Sequence, residues 1–322
     1  MAAQLGGKVT CTLGEVKNRA DFIIYWGGNP ADCHPLHFSR YTLIPKGKHV
    51  PEGRKGRTMV LVDVRETPSA KHADILLQVK PGKDFEVVTT LRALVKNQPV
   101  DAARVAETGL TLEQLQDLVD RMKNARFGVL FFGMGLSMTR GKHMNSAAVL
   151  ALVAELNAYT KFVSMPMRGH GNVTGADVVM RWTTGFPFGV SLSRGYPRFN
   201  PGEFSTIDVL VRGDNDATLV LGADPGATMP QPAIDHLSRT PTIVLDPKVT
   251  HTSHLARVHI TTATTGISAD GTVYRMDEIP LPLKPILESP YPTDEEVIHR
   301  ILEKVKEKPA WTPASFKEVP CA

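Results

Sequence analysis

The sequence has few cysteines, no long apolar run and no large excess of either charge. Three cysteines among 322 residues (Cys11, Cys33 and Cys321), none in a C-x-x-C pair, argue against a disulfide framework and against an iron–sulfur cubane held by this chain alone, which needs about four thiolates. No run of about 20 apolar residues could span a membrane, and no secretory signal opens the chain. A net charge of +4 is mild for nucleic-acid binding. We expect a cytoplasmic protein that binds neither membrane nor nucleic acid.

Part of the positive charge is concentrated in "PKGKHVPEGRKGR", residues 45–57. Five lysines and arginines there face a single acid, Glu52. A loop of this composition is either a solvated surface or a contact for an anionic partner. The sequence leaves both interpretations open.

Short apolar runs alternate with amphipathic helical patterns along the chain. Nearly continuous apolarity suits strands of a parallel sheet covered on both faces, and the alternation is typical of a doubly wound α/β fold. We expect two Rossmann-like domains, residues 1–167 and 168–322. The predicted strands are 22–26, 59–64, 75–79, 129–132, 162–165, 219–221, 243–245 and 258–261.

Several helices have recognisable starts. Asp84 is predicted to cap one helix, whereas Thr111 and Thr293, each followed three residues later by Gln or Glu, predict capping boxes. A further amphipathic helix is predicted over 143–159. The last helix is expected to bury Val297, Ile301, Leu302 and Val305.

The chain contains an internal echo. "YWGGNPADCHP" (25–35) and "LVLGADPGATMPQP" (219–232) each end a strand, turn through glycine to proline, and are followed by a strand that ends in aspartate. Two related nucleotide-binding units are the natural interpretation.

The first turn of this echo, Gly27 to Pro30, can bring bare backbone close to a ligand, because glycine lacks a Cβ. Asn29 adds an amide, the following helix offers N–H groups to a phosphate, and Asp63 at the end of the next strand could bind ribose or pterin hydroxyls. Such ligands bind at the carboxyl ends of parallel strands. A further glycine turn follows the strand at 129–132. The candidate residues are Gly28, Asn29, Pro30, Asp63, Gly133 and Gly135.

Cys33, His34 and His37 in the same stretch raise the alternative of a zinc site. Pro35 interrupts the ligand geometry, and no fourth ligand or second Cys/His cluster is evident. We favour turn and packing roles for these side chains and expect no metal.

A glycine-rich loop, "MRGHGNVTGAD" (167–177), follows the strand at 162–165. Its candidates are Arg168, His170 and Asn172, and the Arg168 guanidinium suits a carboxylate such as formate. Pairing of Arg168 with Asp177, simply to order the loop, is the alternative.

Five motifs in order, "GGNPADCHP", "VDVRETPSAKHAD", "FFGMGLSMTRG", "MRGHGNVTGAD" and "TTGISADGTVYRMDEIPLPL", resemble the pterin-carrying B subunit of formylmethanofuran dehydrogenase, a relative of molybdenum formate dehydrogenases. The resemblance spans almost the whole chain. It implies two domains like the central domains of molybdopterin-dependent formate dehydrogenases, with the Asn-Pro turn, the strand-end Asp and the Gly-Met-Gly turn lining two pterin guanine dinucleotides. Arg168 matches an active-site arginine of the family.

The family's molybdenum or tungsten is held by a Cys-His pair that precedes the Asn-Pro turn, and the sequence departs from this pattern. Only 28 residues precede Asn29, Cys11 is followed by Thr12, and Cys33-His34 lies inside the turn. The resemblance therefore favours the B subunit of the formyltransferase/hydrolase complex of methylotrophs, with part of the second sheet missing. We expect no cofactor: the ancestral bis-pterin guanine dinucleotide and its metal would be lost, leaving a vestigial site.

On this interpretation the chain is a non-catalytic structural subunit in one-carbon metabolism. The complex would convert formyl-tetrahydromethanopterin, via formyl-methanofuran, to formate, and the partners would be its amidohydrolase-like A, its C and its formyltransferase D polypeptides. One alternative is a molybdenum- or tungsten-pterin formylmethanofuran or formate dehydrogenase subunit whose metal ligand comes from elsewhere. Another is a small dinucleotide or anion kept in the old crevice.

Overall fold

The computed structural model describes residues 7–308, which form two compact units. The first unit comprises the chain up to Thr174 together with a short returning segment, Tyr274–Ile279, and the second comprises Gly175–Val273 and the residues from Pro280 onward. The sequence-based division placed one boundary after residue 167 and assigned no returning segment to the first unit. Cys321 lies outside the described residues.

The first unit is built on a five-stranded parallel sheet with the strand order β3-β2-β1-β4-β5. All five predicted strands are confirmed, with ends that move by one or two residues at most. The strands are β1 Phe22–Trp26, β2 Thr58–Asp63, β3 Ile75–Gln78, β4 Phe127–Phe132 and β5 Lys161–Pro166.

Both faces of this sheet are buried, as the nearly continuous apolarity predicts. Ile24 and Leu130 pack into a core on one face, and Tyr25 and Phe131 pack into a core on the other. The first core is completed by α3, α5 and α7, and the second by α1. The helices of this unit are α1 Leu13–Arg19, α2 Pro30–Cys33, α3 Asp84–Val95, α4 Ala102–Ala106, α5 Leu112–Asn124, α6 Met134–Ser137 and α7 His143–Leu156, with a π-helix over Phe38–Thr42 and 3₁₀ turns over Gly53–Gly56 and Pro68–His72.

The capping box at Thr111 is confirmed, but the prediction that Asp84 caps α3 is wrong. Lys83 holds the cap position and Asp84 begins the helix. The Asp84 carboxylate is buried, and it accepts hydrogen bonds from Trp26 Nε1 (2.9 Å) and Thr139 Oγ1 (3.3 Å). The Asp84 side chain therefore bonds to residues distant in sequence instead of capping the helix, and local sequence does not reveal such partners.

The second unit has a three-stranded parallel sheet, β10-β9-β8, and the three predicted strands are confirmed. Within the described residues, β8 is an edge strand. Two short antiparallel pairs, β6–β7 and β11–β12, were not predicted. The strands are β6 Val190–Ser191, β7 Arg198–Phe199, β8 Thr218–Leu221, β9 Thr242–Leu245, β10 Val258–Ile260, β11 Gly271–Tyr274 and β12 Pro280–Leu283.

The helices that complete the chain include α8, which begins just before the unit boundary. The last helix begins with the predicted capping box at Thr293. It buries Val297, but Leu302 and Val305 are 46% and 62% exposed, so the predicted buried face is wrong at those positions. The helices are α8 Val173–Thr184, α9 Thr206–Arg212, α10 Pro225–Thr228, α11 Gln231–Arg239, α12 His251–Leu255 and α13 Asp294–Lys306.

The returning segment Tyr274–Ile279 attaches to the start of the first unit. Asp277 accepts a hydrogen bond from the Leu13 backbone N–H (2.7 Å) at the first turn of α1, and Arg275 pairs with the same carboxylate (2.6 Å). Lys8 and Glu278 form an ion pair at 2.6 Å. A segment remote in sequence thus supplies the acceptor for the Leu13 N–H, which has no partner within α1.

No helix in residues 7–308 is both long and apolar enough to cross a bilayer.

Candidate functional site

The candidate residues of the first unit lie at the point where its strand order reverses. The chain runs from β1 to β2 and β3 on one side, and then returns to place β4 and β5 on the other side. Beyond the carboxyl ends of β1 and β4 the following turns meet, with Gly133 N donating to Trp26 O (2.9 Å) and Gly135 N donating to Gly27 O (2.8 Å). Open α/β sheets bind ligands in the crevice at such a reversal.

The glycines of these turns are required for the turns to touch each other. Gly27 has φ +56°, and a Cβ there would lie 2.3 Å from Leu136 N. A Cβ on Gly133 or Gly135 would lie 2.5 or 2.7 Å from Gly27 O. Backbone packing therefore accounts for Gly133 and Gly135, which the sequence interpretation had assigned to ligand approach. Gly28 is half-buried. A Cβ added there would lie 3.1 Å from the Met167 Sδ, and the nearest backbone atoms would be at an ordinary 3.7 Å.

Asn29 and Ala31, on either side of Pro30, form a hydrogen-bonded clasp with Ser69. Asn29 Oδ1 accepts from Ser69 Oγ (2.6 Å) and from Ser69 N (3.3 Å), and Ser69 Oγ in turn accepts from Ala31 N (3.1 Å). Pro30 is buried at the first position of α2. The amide oxygen predicted to face a ligand is thus used by the protein to fix the turn.

The second unit repeats this clasp. Asp224 stands where Asn29 stands, and its Oδ1 accepts from Thr252 Oγ1 (2.6 Å) and Thr252 N (2.8 Å), while Thr252 Oγ1 accepts from Gly226 N (2.8 Å). The backbone angles agree: φ −115°, ψ 78° at Asn29 and φ −124°, ψ 69° at Asp224. The internal echo of the sequence is therefore confirmed as a repeated structural unit.

The two clasps differ in charge. Burial disfavours the ionised form of Asp224, but hydrogen bonds from Thr252 and from the His251 N–H outweigh it and lower the pKa of Asp224 to about 2. Asn29 is a neutral amide that does not titrate. The second turn therefore carries a fixed negative charge at neutral pH.

Asp63 lies at the carboxyl end of β2, beside β1. Its Oδ1 accepts a hydrogen bond from the next backbone N–H, Val64 N, at 2.8 Å. Its other carboxylate oxygen accepts none from the described residues, and the side chain is half-buried. Asp63 is thus placed at the same edge of the sheet with acceptor capacity to spare.

His37 and His34 have separate structural roles. His37 is buried with Nδ1 2.8 Å from the Tyr25 hydroxyl, and burial lowers its pKa to about 3, so that the ring is neutral. His34 Nε2 donates to the Arg168 carbonyl (2.9 Å), and its Nδ1 lies 3.0 Å from Cys33 Sγ. Within residues 7–308 no group of three or more His, Cys, Asp or Glu side chains could hold a metal ion.

The hydrogen bond from His34 places Arg168 next to the Asn-Pro turn. Met167 N also donates to Phe132 O (2.8 Å), which ties the start of the glycine-rich loop to β4. Farther along, His170 and Asn172 have left-handed φ values of 58° and 59°. His170 is exposed, whereas Asn172 Oδ1 accepts from Tyr274 N (2.8 Å). The structure thus brings Gly28, Asn29, Pro30, Gly133, Gly135 and the Arg168 backbone together beyond the carboxyl ends of β1 and β4, and it bonds the Asn172 side chain to the returning segment.

Sequence reasoning missed the second partner of each clasp. Ser69 and Thr252 are both completely buried. Each follows a strand-end aspartate by a few residues in a Thr-containing loop, and that repeated spacing was the available signal. Met134 and Met138, both 70% exposed beside the Gly133 turn, were also overlooked.

Comparisons with known proteins identify the family and the fold. No protein-family model matches the chain. The B subunit of tungsten-containing formylmethanofuran dehydrogenase 2 of Methanocaldococcus jannaschii is 48% identical over 309 residues, which cover 95% of this chain and 71% of that protein. The B subunit of the formyltransferase/hydrolase complex Fhc of Methylorubrum extorquens is 23% identical over 279 residues, 85% of this chain and 69% of that protein.

Among solved structures, a chain of the Methylorubrum extorquens FhcABCD complex with methylofuran superposes with a TM-score of 0.73 at 21% identity. The match covers 95% of this chain and 80% of that chain. It confirms the two-unit α/β fold predicted from the sequence. Because the identity to the archaeal protein extends along nearly the whole chain and over more than two thirds of that protein, the chain belongs to the family of formylmethanofuran dehydrogenase B subunits.

Proposed function

We propose that this chain forms the pterin dinucleotide-binding part of the B subunit of a formylmethanofuran dehydrogenase, with the metal ligand supplied by polypeptide outside residues 7–308. The observation that carries the proposal is the convergence of the β1 turn, the β4 turn and the Arg168 backbone at the strand-order reversal, where open α/β sheets bind ligands; we call this region the crevice. The far higher identity to the tungsten-containing relative than to the Fhc relative supports the redox assignment over the assembly role.

The residues of the crevice fit a dinucleotide. A Cβ on Gly169 or Gly171 would meet nothing within 4 Å, so the loop beyond Arg168 borders open space. Gly28 leaves its backbone half-exposed, and Asp63 retains an unused acceptor for a hydroxyl. Arg168 lies beside the Asn-Pro turn through its backbone carbonyl, and a guanidinium is the side-chain group best suited to orient a carboxylate or formyl oxygen. When bound, the metal–pterin group would supply two-electron transfer.

Filling this open space gives the test. Gly169→Leu adds a side chain where the protein offers no contact, and Gly14→Leu in α1 is a matched control, since its Cβ would meet only Thr12 Oγ1 at an ordinary 3.5 Å. In the complex purified from its host, we expect pterin and tungsten or molybdenum in stoichiometric amounts for the wild type and the control. Gly169→Leu should lose most of the pterin with an unchanged melting temperature. If the wild-type complex contains pterin and the Gly169→Leu complex contains the same amount, the pterin does not bind in this crevice.

A second candidate is the non-catalytic structural role, with the amidohydrolase-like A, the C and the formyltransferase D polypeptides of a formyltransferase/hydrolase complex as partners and no pterin or metal. It is favoured by the closed clasp, in which the Asn29 oxygen is satisfied by Ser69 without a ligand, and by the fold shared with the FhcABCD chain. A purified, hydrolytically active complex that contains this chain but no pterin and no tungsten or molybdenum would establish this candidate and reject the first.

A further inference from the structure

The second unit contains a cavity of about 840 Å³ beside the β6–β7 hairpin. Three arginines line it, Arg194, Arg198 and Arg212, together with the hydroxyl-bearing residues Ser191 and Ser193. All of the lining residues lie between positions 190 and 214, so the cavity is formed within the second unit alone. We call it the hairpin cavity.

Arg198 is held in a fixed orientation in this cavity. Its Nη2 donates to Ser193 Oγ (3.0 Å) and Ser191 Oγ (3.2 Å), and its guanidinium carbon lies 4.8 Å from the centre of the Phe204 ring. Its Nε is buried without a hydrogen-bond partner. A guanidinium positioned by hydroxyls and an aromatic face, with a donor still unsatisfied, is costly to maintain unless it has a further partner.

Within the part of the chain that the structure describes, the acidic residues of the hairpin cavity leave two of its three arginines without an ion pair. Asp214 pairs with Arg212 at 2.7 Å, and Glu203 accepts a hydrogen bond from Asn200 (2.8 Å). Arg194 is exposed, and among the described residues neither it nor Arg198 forms an ion pair with a carboxylate. Within residues 7–308, Arg194 and Arg198 therefore line the cavity without an ion pair, and Glu203 is the one lining carboxylate that is not already paired with an arginine, which leaves the cavity with an excess of positive charge.

We infer that the hairpin cavity binds a small oxyanion of the phosphate or carboxylate class, with Arg194 and Arg198 as its charged contacts. Planar guanidinium groups match the paired oxygens of such anions. The Ser191 and Ser193 hydroxyls, which lie 3.1 Å apart, can rotate to donate to the same ligand. This inference rests on residues of the second unit and is independent of the pterin proposal.

Titration of the full chain with two probes tests it. Inorganic phosphate and citrate are each added at constant ionic strength, with binding followed by isothermal titration calorimetry. We expect saturable binding of at least one probe, weakened about tenfold or more by Arg194→Ala, because a charge-assisted pair contributes about 1.5–3 kcal/mol. The probe that binds more tightly identifies the ligand as phosphate-like or carboxylate-like. Arg239→Ala, an exposed arginine of α11, is the matched control and should bind as the wild type does.

Arg198→Lys provides a second variant in case larger changes disturb the hairpin. Lysine keeps the charge but not the planar fork, so affinity should fall while the melting temperature stays close to that of the wild type. Absence of saturable binding of both probes to the wild type would overturn the inference. Equal affinities for the wild type, Arg194→Ala and Arg198→Lys would do the same and would leave the arginines as supports of the hairpin.

Discussion

The turns after β1 and β8 have the same clasp but different neighbours. In both, a residue before proline accepts hydrogen bonds from the backbone and hydroxyl of one buried Ser or Thr. After β1 the turn is pressed against the Gly133 turn of β4, whereas β8 is an edge strand in the part of the chain described. Local sequence is sufficient to form the clasp. A ligand crevice also requires a neighbouring strand whose turn packs beside the clasp, as the β4 turn does beside the β1 turn. Changes at equivalent positions should therefore have unequal effects.

The largest difference is expected between Gly27→Ala and Gly222→Ala. Both glycines have positive φ, +56° and +52°, but only at Gly27 would a Cβ collide with backbone, whereas at Gly222 it meets nothing within 4 Å. Gly222→Ala should lower the free energy of unfolding by about 1–2 kcal/mol, the cost of left-handed backbone. Gly27→Ala should lower it by about 3–5 kcal/mol, because overpacking adds to that cost. Urea denaturation of both variants measures these losses of unfolding free energy. Similar losses would mean that a side chain at Gly27 meets no more steric hindrance than one at Gly222.

Removal of the buried hydroxyl should have an intermediate effect. Ser69→Ala removes the hydroxyl that donates to the Asn29 amide oxygen and accepts from the Ala31 N–H, and it leaves that oxygen only the longer bond from the backbone N–H of residue 69 (3.3 Å), at an expected cost of about 1–3 kcal/mol. Thr252→Ala should cost less, since 26% of the Asp224 side chain is exposed to water that can replace the hydroxyl. Thr252→Ser is the control and should restore most of the stability. A larger loss from Thr252→Ala than from Ser69→Ala would reverse the ranking.

The smallest expected difference is in acid sensitivity. The pKa of Asp224 is about 2 in the folded chain and about 3.9 when unfolded, so its ionised form stabilises the second turn above about pH 4. That contribution is lost as the pH falls from about 4 to about 2. Asp224→Asn, which imitates the amide of Asn29, should remove this component. The difference in urea midpoint between wild type and Asp224→Asn should narrow on acidification, and a constant difference would exclude a titrating clasp.

The sequence predicted the eight parallel strands and the capping boxes at Thr111 and Thr293, because apolar runs and capping pairs are local signals. It failed at Asp84, whose partners Trp26 and Thr139 are distant in sequence. It also failed for the outer face of α13, since periodicity shows that a face is apolar but not whether anything covers it.

The candidate site divides in the same way. The turn at Asn29 and Pro30 could be predicted, since glycine and proline mark turns directly. The contact of Gly133 and Gly135 with Gly27 could not be predicted, because it depends on which strands become neighbours. The roles assigned to the crevice residues stay predictions until ligand content is measured.

The returning segment Tyr274–Ile279 sets an order of events during synthesis. Domains generally fold as they leave the ribosome, the N-terminal one first. Here the Leu13 N–H at the start of α1 bonds to Asp277, and the Lys8 ammonium bonds to Glu278. Both acceptors are translated more than 250 residues after their donors. The first unit can therefore assemble its sheet early but can close its N-terminal end only after the Gly175–Val273 part of the second unit has been made. Lys8 and the Leu13 N–H are thus among the last groups of the first unit to reach their native partners.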